Sequence, residues 1–335
     1  MAAAEATRIV ISDRFRQIAP LVARIAVAIV IGVLFGVLEY HYLAPDRAVT
    51  YGRDFTIPWL AARGILRGVD AYDFVRMTPA VVYGHLLFYP LMAGVVAIPF
   101  ASFRADVAAA LFVGVSFGWL AFALTRDAQW WRLVMLTSAT AFWAAGAAQW
   151  SPALIAASLA IPTVGLLCVK PTLAIPLLAA QRARRAIGSA VIGGGLLIAL
   201  CFVLQPQWLS SWYHTTHNEP LMAQYQVPVL TRFGWPLALA ALKWRRSEAR
   251  LLLGLACVPQ TFFLYDQLPL MLTAKTRAQA LALSCLSWLV FFARPLVSVG
   301  VISIDRISLH RAPLLIVGLF WPALVLVLRR PNAAE

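Results

Sequence analysis

The sequence predicts an all-α, polytopic transmembrane protein, and three observations carry that prediction. Hydrophobic residues make up 61% of the 335 positions and charged residues only 13%, with a mean hydropathy of +0.78. The apolar residues gather into runs approaching the roughly 20 that cross a bilayer as a helix. Arginine and lysine fall in short clusters between those runs. A water-soluble globule of this composition would leave far too much apolar area uncovered.

Taken in order, about eight full spans are expected, at 21–43, 85–103, 107–125, 132–148, 187–204, 229–242, 279–293 and 313–328. The first follows Arg8, Arg14 and Arg16 and is too long for a signal-peptide core, so it stays in the mature protein. The clusters Arg182/Arg184/Arg185, Lys243/Arg245/Arg246, Lys275/Arg277 and Arg329/Arg330 are placed on the cytoplasmic side by the positive-inside rule. The expected protein is therefore a multi-pass protein of the cytoplasmic membrane with both termini inside, and residues 45–84 and 205–228 form two outer loops. Arg126 and Arg132 then fall outside, against the rule.

Two stretches, Pro152 to Gln181 and Leu251 to Ala274, are too short for two crossings, which need about 40 residues. They are expected as short or broken hairpins, with Lys170-Pro171 near one tip and Asp266 at the other. Non-helical backbone at membrane depth survives only when buried in protein or lining a wet cavity, so both tips should face the site formed by the first outer loop. Gly193-Gly194-Gly195 reads as a helix-packing patch. No soluble domain or internal repeat interrupts the chain, which is one domain over 1–335.

Composition also excludes function classes. A net charge of +14 points towards anionic partners, but the dispersed basic clusters fit lipid headgroups and not nucleic acid. Cys168, Cys201, Cys257 and Cys285 stand singly in apolar runs, without metal-ligand spacing or loop partners. They read as packing residues.

The polar chemistry is concentrated at residues 52–74, GRDFTIPWLAARGILRGVDAYDF. As a helix, Phe55 to Arg67 puts Phe55, Trp59, Ala62 and Leu66 on one face and Arg63 and Arg67 on another, the pattern of a helix lying flat at the membrane interface. Asp54 stands where a carboxylate caps a helix, beside Arg53, and Gly68 ends the helix. Asp70 and Asp73 flank Tyr72 as turn formers, with a supporting site role as the alternative for both. Arg63 is a headgroup anchor or a phosphate contact. Lys170 either snorkels or serves a site, and Asp266 either lines a pocket or caps a broken helix. In the second outer loop His214 and His217, followed by Glu219, lack a third ligand at helical spacing. They are candidates for substrate contact, and no metal is expected.

These same residues carry a resemblance. Asp54-Phe55, Trp59, Ala61-Ala62-Arg63, Leu66, Gly68 and Asp70-Ala71-Tyr72-Asp73 resemble the first-loop signature of glycosyltransferase family 87, polytopic enzymes of the GT-C class. Phe88 to Pro90 (FYP), QWSPAL from Gln149, Lys170-Pro171 and Tyr265-Asp266 echo the family in the same order, most densely before about Arg185. The stretch from Gln149 to Lys170 is about a span shorter than in that family. The resemblance implies a GT-C-like fold and inverting transfer of a hexose, mannose foremost, from a polyprenyl-phosphate sugar to a lipid or glycan acceptor at the outer face. It implies no cofactor, with Asp54 as the catalytic carboxylate. Arg63, Lys170, Asp73, Asp266, His214 and His217 complete the candidate site as substrate-binding residues. Two other readings stand beside it: a transporter or lipid flippase with broken helices, and an inactive relative that scaffolds a membrane complex.

Overall fold

The computed structural model describes residues 2–43, 54–78, 86–217, 225–297 and 312–331; Arg53, Glu219, the ends of the first expected outer loop and the side chains of Arg8, Arg14 and Arg16 lie outside what is described. Thirteen helices organise the described residues: α1 (Ala2–Leu38), α2 (Thr56–Leu66), α3 (Ala71–Met77), α4 (Met92–Ala97), α5 (Ala105–Leu124), α6 (Ala139–Gly146), α7 (Ser151–Leu159), α8 (Pro171–Ala179), α9 (Arg184–Leu204), α10 (Trp208–His217), α11 (Ser247–Cys257), α12 (Arg277–Val297) and α13 (Ala312–Leu328). Four longer 3-10 segments, Trp130–Thr137, Ile161–Val169, Trp235–Lys243 and Leu264–Thr273, link them. Ala19–His41, α5 and α9 are long and apolar enough to cross a membrane, and apolar helices at Arg277–Ala293 and Ala312–Leu328 are shorter. This is the make-up of a helical membrane protein.

The frame is set by α1 against α5. A Cβ on Gly32 would lie 2.7 Å from the Gly114 carbonyl oxygen, one on Gly118 would lie 2.9 Å from that of Ala28, and one on Gly36 would lie 3.1 Å from that of Ala110. Rising numbers on one helix meet falling numbers on the other, so the two are antiparallel and close enough that only glycine fits at the crossing. Phe35 stacks on Phe117 with ring centroids 3.9 Å apart, and Arg24 donates to the Phe122 carbonyl at 2.9 Å.

This antiparallel pair corrects the expected topology. Leu124 lies at the same end as the start of the first span, so residues 54–78 and 86–104 gather at the opposite end, and 86–103 is not one continuous helix. Helix there is confined to α4 and one 3-10 turn at Ile98–Phe100, because Pro90 and Pro99 break an apolar run that length alone would read as a span. Arg132 now shares a cavity with Arg182, Glu248 and Lys275, which removes its conflict with the other basic clusters. Residues 132–148 are likewise not one helix: a 3-10 segment ends at Ser138, whose side chain caps α6 by accepting from the Ala141 amide. Residues 229–242 fall in two 3-10 segments, Pro228–Leu230 and Trp235–Lys243, divided by a turn, in place of a full helical span.

The expected hairpins are present as short arms. From a tip at Ala147–Trp150, α7 descends towards Gln181, where the Gln181 amide donates to the Ser158 carbonyl at 2.8 Å. Residues 161–169 climb to Lys170, α8 descends again, and α11 with 264–273 forms a further hairpin. At about 1.5 Å rise per α-helical and 2.0 Å per 3-10 residue, each arm is roughly 13–20 Å long. That is about half of a hydrocarbon core of about 30 Å. Gly193 and Gly194 accept the 161–169 arm closely, since a Cβ on Gly165 would lie 2.6 Å from the Gly193 Cα; the glycine patch packs helices as expected.

The arms are anchored at a basic end. Glu248 receives Arg330 at 3.1 Å, Lys275 at 3.2 Å and Arg246 at 3.4 Å, while Arg250 donates to the carbonyls of Ala179 at 2.6 Å and Ala180 at 3.0 Å. Four chain segments are thereby tied together outside the apolar spans. Burial alone would raise the Glu248 carboxyl, but its own backbone N–H and the Lys275 and Arg246 charges outweigh that and hold it down at about 2.

Helix α2 is not a surface helix. Nine of its residues are buried, Thr56 to Ala62 together with Gly64 and Ile65, whereas Leu66, placed on the expected apolar face, is 62% exposed. The opposite face, carrying Leu60, Ala61 and Gly64, is covered as well; a Cβ on Gly94 of α4 would lie 3.0 Å from the Ala61 side chain. The helix ends as expected: Gly68 has φ +68°, and the amides of Gly68 and Val69 close back on Ile65 and Gly64 at 3.0 and 3.1 Å.

Two outcomes follow for stability. Gly32→Ala should lower the melting temperature in detergent despite the gain of about 1 kcal/mol that alanine brings to a helix, while Gly188→Ala in α9, where a Cβ meets nothing within 4 Å, should be neutral or stabilising. The Glu248 carboxyl is depressed in the folded state, so its contribution is complete above the unfolded value near 4.5 and is lost as pH falls towards 2. The melting temperature of the wild type should therefore drop more steeply below about pH 4.5 than that of Glu248→Gln.

Candidate functional site

The hairpin tips converge on one polar cluster. Asp54 stands one residue before the N-cap of α2, which is Phe55, and its amide donates to the Ala147 carbonyl at 3.1 Å, docking this segment on the α6–α7 tip. Its carboxylate accepts, at Oδ2, a hydrogen bond from the Tyr89 hydroxyl at 3.1 Å and another from the Gln149 side-chain amide. The Gln149 Oε1 accepts from Lys170 Nζ at 3.1 Å, and Lys170 Nζ also pairs with Asp266 at 2.9 Å. A carboxylate only accepts and an ammonium only donates, so the orientation of the bridging amide is dictated by its two neighbours. Four distant positions thus form one chain, Asp54–Gln149–Lys170–Asp266.

The surroundings are aromatic and closed. Lys170 Nζ lies 5.9 Å from the Tyr89 ring centre and 5.8 Å from that of Tyr265, within the range of cation–π attraction. Phe55 stacks on Phe112 at 3.9 Å, and Trp150 closes on Phe112 at 4.8 Å. The side chains of Lys170 and Asp266 are each only 13% exposed. Tyr225, near the end of the second expected loop, lies within electrostatic reach of Asp54, Lys170 and Asp266. The Trp150 indole N–H is buried without a hydrogen-bond partner among the described residues.

Backbone conformation at two tips is also unusual. Ala148 has φ 46° and Phe262 φ 53°, both in the left-handed region that disfavours residues with a Cβ, and both are fully buried. Such conformations cost of order 1–3 kcal/mol and persist where the surrounding structure enforces them.

The other candidate residues are not brought here. Arg63 lies seven residues into α2, about 10 Å along its axis from Thr56, with its guanidinium 4.8 Å from the Trp59 ring centre. Asp73 pairs with Arg76 on an exposed face of α3, and Asp70 caps that helix by accepting from the amides of Tyr72 and Asp73. Ser211 of α10 donates to Asp70 at 3.0 Å, and the Gln205 side chain clamps Val69 and Ala71. Asp70 is therefore a structural junction. His214 and His217 are exposed on α10, with Tyr213 stacked on His217 at 4.9 Å. Trp212 of the same helix donates to the Phe88 carbonyl at 2.9 Å, next to Tyr89.

Sequence reasoning did not select Tyr89 or Gln149, although both stand in the FYP and QWSPAL stretches that carried the resemblance. A buried ion pair whose partner is removed leaves an uncompensated charge, at a cost of about 3–5 kcal/mol. Lys170→Met and Asp266→Leu should each lower thermal stability strongly, and the double variant should recover much of the loss; additive losses in this thermal double-mutant cycle would show that the two groups are not coupled. No family model, curated protein or solved structure matches the chain, so the site is read on its own geometry.

Proposed function

We propose that this protein is an inverting GT-C-type glycosyltransferase of the cytoplasmic membrane that moves a hexose, mannose foremost, from a polyprenyl-phosphate donor to a lipid or glycan acceptor at the outer face. In this reading α1, α5, α9, the 225–243 stretch, α12 and α13 cross the membrane, six crossings in place of eight. Both termini lie inside, and the half-depth arms enter from the cytoplasmic side. The observation that carries it is the link from Asp54 through Gln149 to Lys170, which sets a carboxylate and a cation on one hydrogen-bonded bridge.

The chemistry needs both groups and little else. Polyprenyl phosphate is a good leaving group, so no strong general acid is required. The acceptor oxygen attacks the anomeric carbon as Asp54 takes its proton, the bond from that carbon to the phosphate oxygen breaks, and the electron pair leaves with the lipid phosphate. Attack opposite the leaving group inverts the centre. Tyr89 and Gln149 hold the Asp54 carboxylate in place. Lys170 takes the phosphate role first assigned to Arg63, because it adjoins the carboxylate while Arg63 sits along α2 over Trp59. Asp266 holds Lys170 until the phosphate arrives. The histidines and Asp73 then belong to the approach of the acceptor.

A transporter or lipid flippase draws on the same buried Lys170–Asp266 pair, since ionisable groups inside a membrane bundle also mark transport paths. Clustering of charge in the first loop does not by itself separate the two readings. Activity does: purified protein should transfer sugar from a member of a polyprenyl-phosphate-sugar panel in nanodiscs, where no gradient exists. Asp54→Asn should lower turnover about 10²- to 10⁴-fold with donor binding largely intact. Tyr89→Phe should cost less, and Arg63→Ala should leave turnover nearly unchanged. An Asn variant with wild-type turnover would remove Asp54 from the chemistry.

A further inference from the structure

At the opposite end of the hairpins from Asp54 is a cavity of about 400 Å³, a volume in the range of small-ligand sites. Four of the five arms contribute to it: Ser158 and Leu159 from α7, Leu177 and Ala180 from α8 and its end, Leu251 from α11, and Met271 at the end of the 264–273 segment. Its bed is apolar, and its rim carries Arg132, Arg182, Lys275 and Glu248. The one carboxylate is already satisfied, since Glu248 is held by Arg246, Lys275 and Arg330.

Two guanidinium groups at the rim are left without a contact ion pair among the described residues. Arg132 lies 5.8 Å from the ring centre of its neighbour Trp131 and has the Asp127 carboxylate within electrostatic reach but not in contact. Arg182 stands close enough to Arg250 for their charges to oppose each other. Like charges crowded over an apolar bed are stabilised by an anion that carries its own apolar tail.

We propose that this cavity is a binding site for the phosphate headgroup of an anionic membrane lipid, with Arg132 and Arg182 forking the phosphate and the first methylenes of the chains lying over Leu159, Leu177 and Leu251. A lipid seated there bridges the bases of the hairpins whose tips form the Asp54 cluster. The site does not depend on the glycosyltransferase reading. It requires only that the protein sit in a bilayer.

The test is lipid titration of the full-length, detergent-purified protein by native mass spectrometry, read together with its melting temperature. Phosphatidylglycerol should bind as one tightly retained molecule and raise the melting temperature, whereas phosphatidylcholine, which has no net charge, should do neither. The double variant Arg132→Ala/Arg182→Ala should weaken phosphatidylglycerol retention at least 10-fold, and Ala180→Phe, which fills the cavity and keeps both charges, should do the same. Arg185→Ala, at the same end but outside the cavity lining, should bind as the wild type does. Without added lipid, the melting temperatures of all variants establish that they fold. Equal retention by the wild type and the double variant, equal binding of phosphatidylcholine, or competition by inorganic phosphate at the lipid's own concentration would each overturn the proposal.

Discussion

The Lys170–Asp266 ion pair, extended through Gln149 to Asp54, is the interaction around which the chain is arranged. An ammonium and a carboxylate buried among apolar helices cannot face lipid, and each is costly to bury without the other. Their segments are therefore committed to meeting. The 161–169 arm and α8 exist to carry Lys170 to the site and back, and α11 with 264–273 does the same for Asp266. Short arms suffice, because the meeting point lies about half a hydrocarbon thickness from the basic end. The first loop is drawn in by the same bonds, which explains why α2 is buried on nearly every side and does not lie on a surface.

Opposite ends of this arrangement do different physical work. At the basic end Glu248 and Arg250 bind carbonyls and cations from segments far apart in sequence, fixing where the arms begin. At the tips, backbone in sparsely populated conformations at Ala148 and Phe262 is enforced by burial. A rigid base with strained tips is how a fold holds charged groups at a set spacing. The α1–α5 glycine crossing adds the frame against which α2 and α7 pack, with Phe55 stacked on Phe112 of α5.

Much of this was legible in the sequence for a definable reason. Counting residues against membrane thickness exposes the two stretches that are too short, and that places Lys170 and Asp266 at inward-facing tips from the sequence alone. The positive-inside rule grouped Arg182, Arg246, Lys275 and Arg330, which do meet around one cavity and one carboxylate. What failed did so because apolar content is blind to breaks. Residues 85–103 are apolar enough for a span, yet Pro90 and Pro99 confine the helix to six residues, Met92–Ala97. The stripe of Phe55, Trp59 and Ala62 looked amphipathic because Arg63 and Arg67 supply charge on another face, yet Leu60, Ala61 and Gly64, small or apolar, let a further face be buried as well. Gln149 escaped notice since a neutral amide carries no charge signal, and its value lies in bridging two charges that only the fold brings together.

The central claim is that a lipid-borne phosphate is received at the Asp54–Gln149–Lys170 bridge, and a structure with a polyprenyl-phosphate analogue bound tests it most directly. The account predicts the phosphate in contact with Lys170 Nζ, the Lys170–Asp266 distance lengthened from 2.9 Å, and an acceptor-sized space beside Asp54. A phosphate held at Arg63 or elsewhere, with the bridge unchanged, would contradict it.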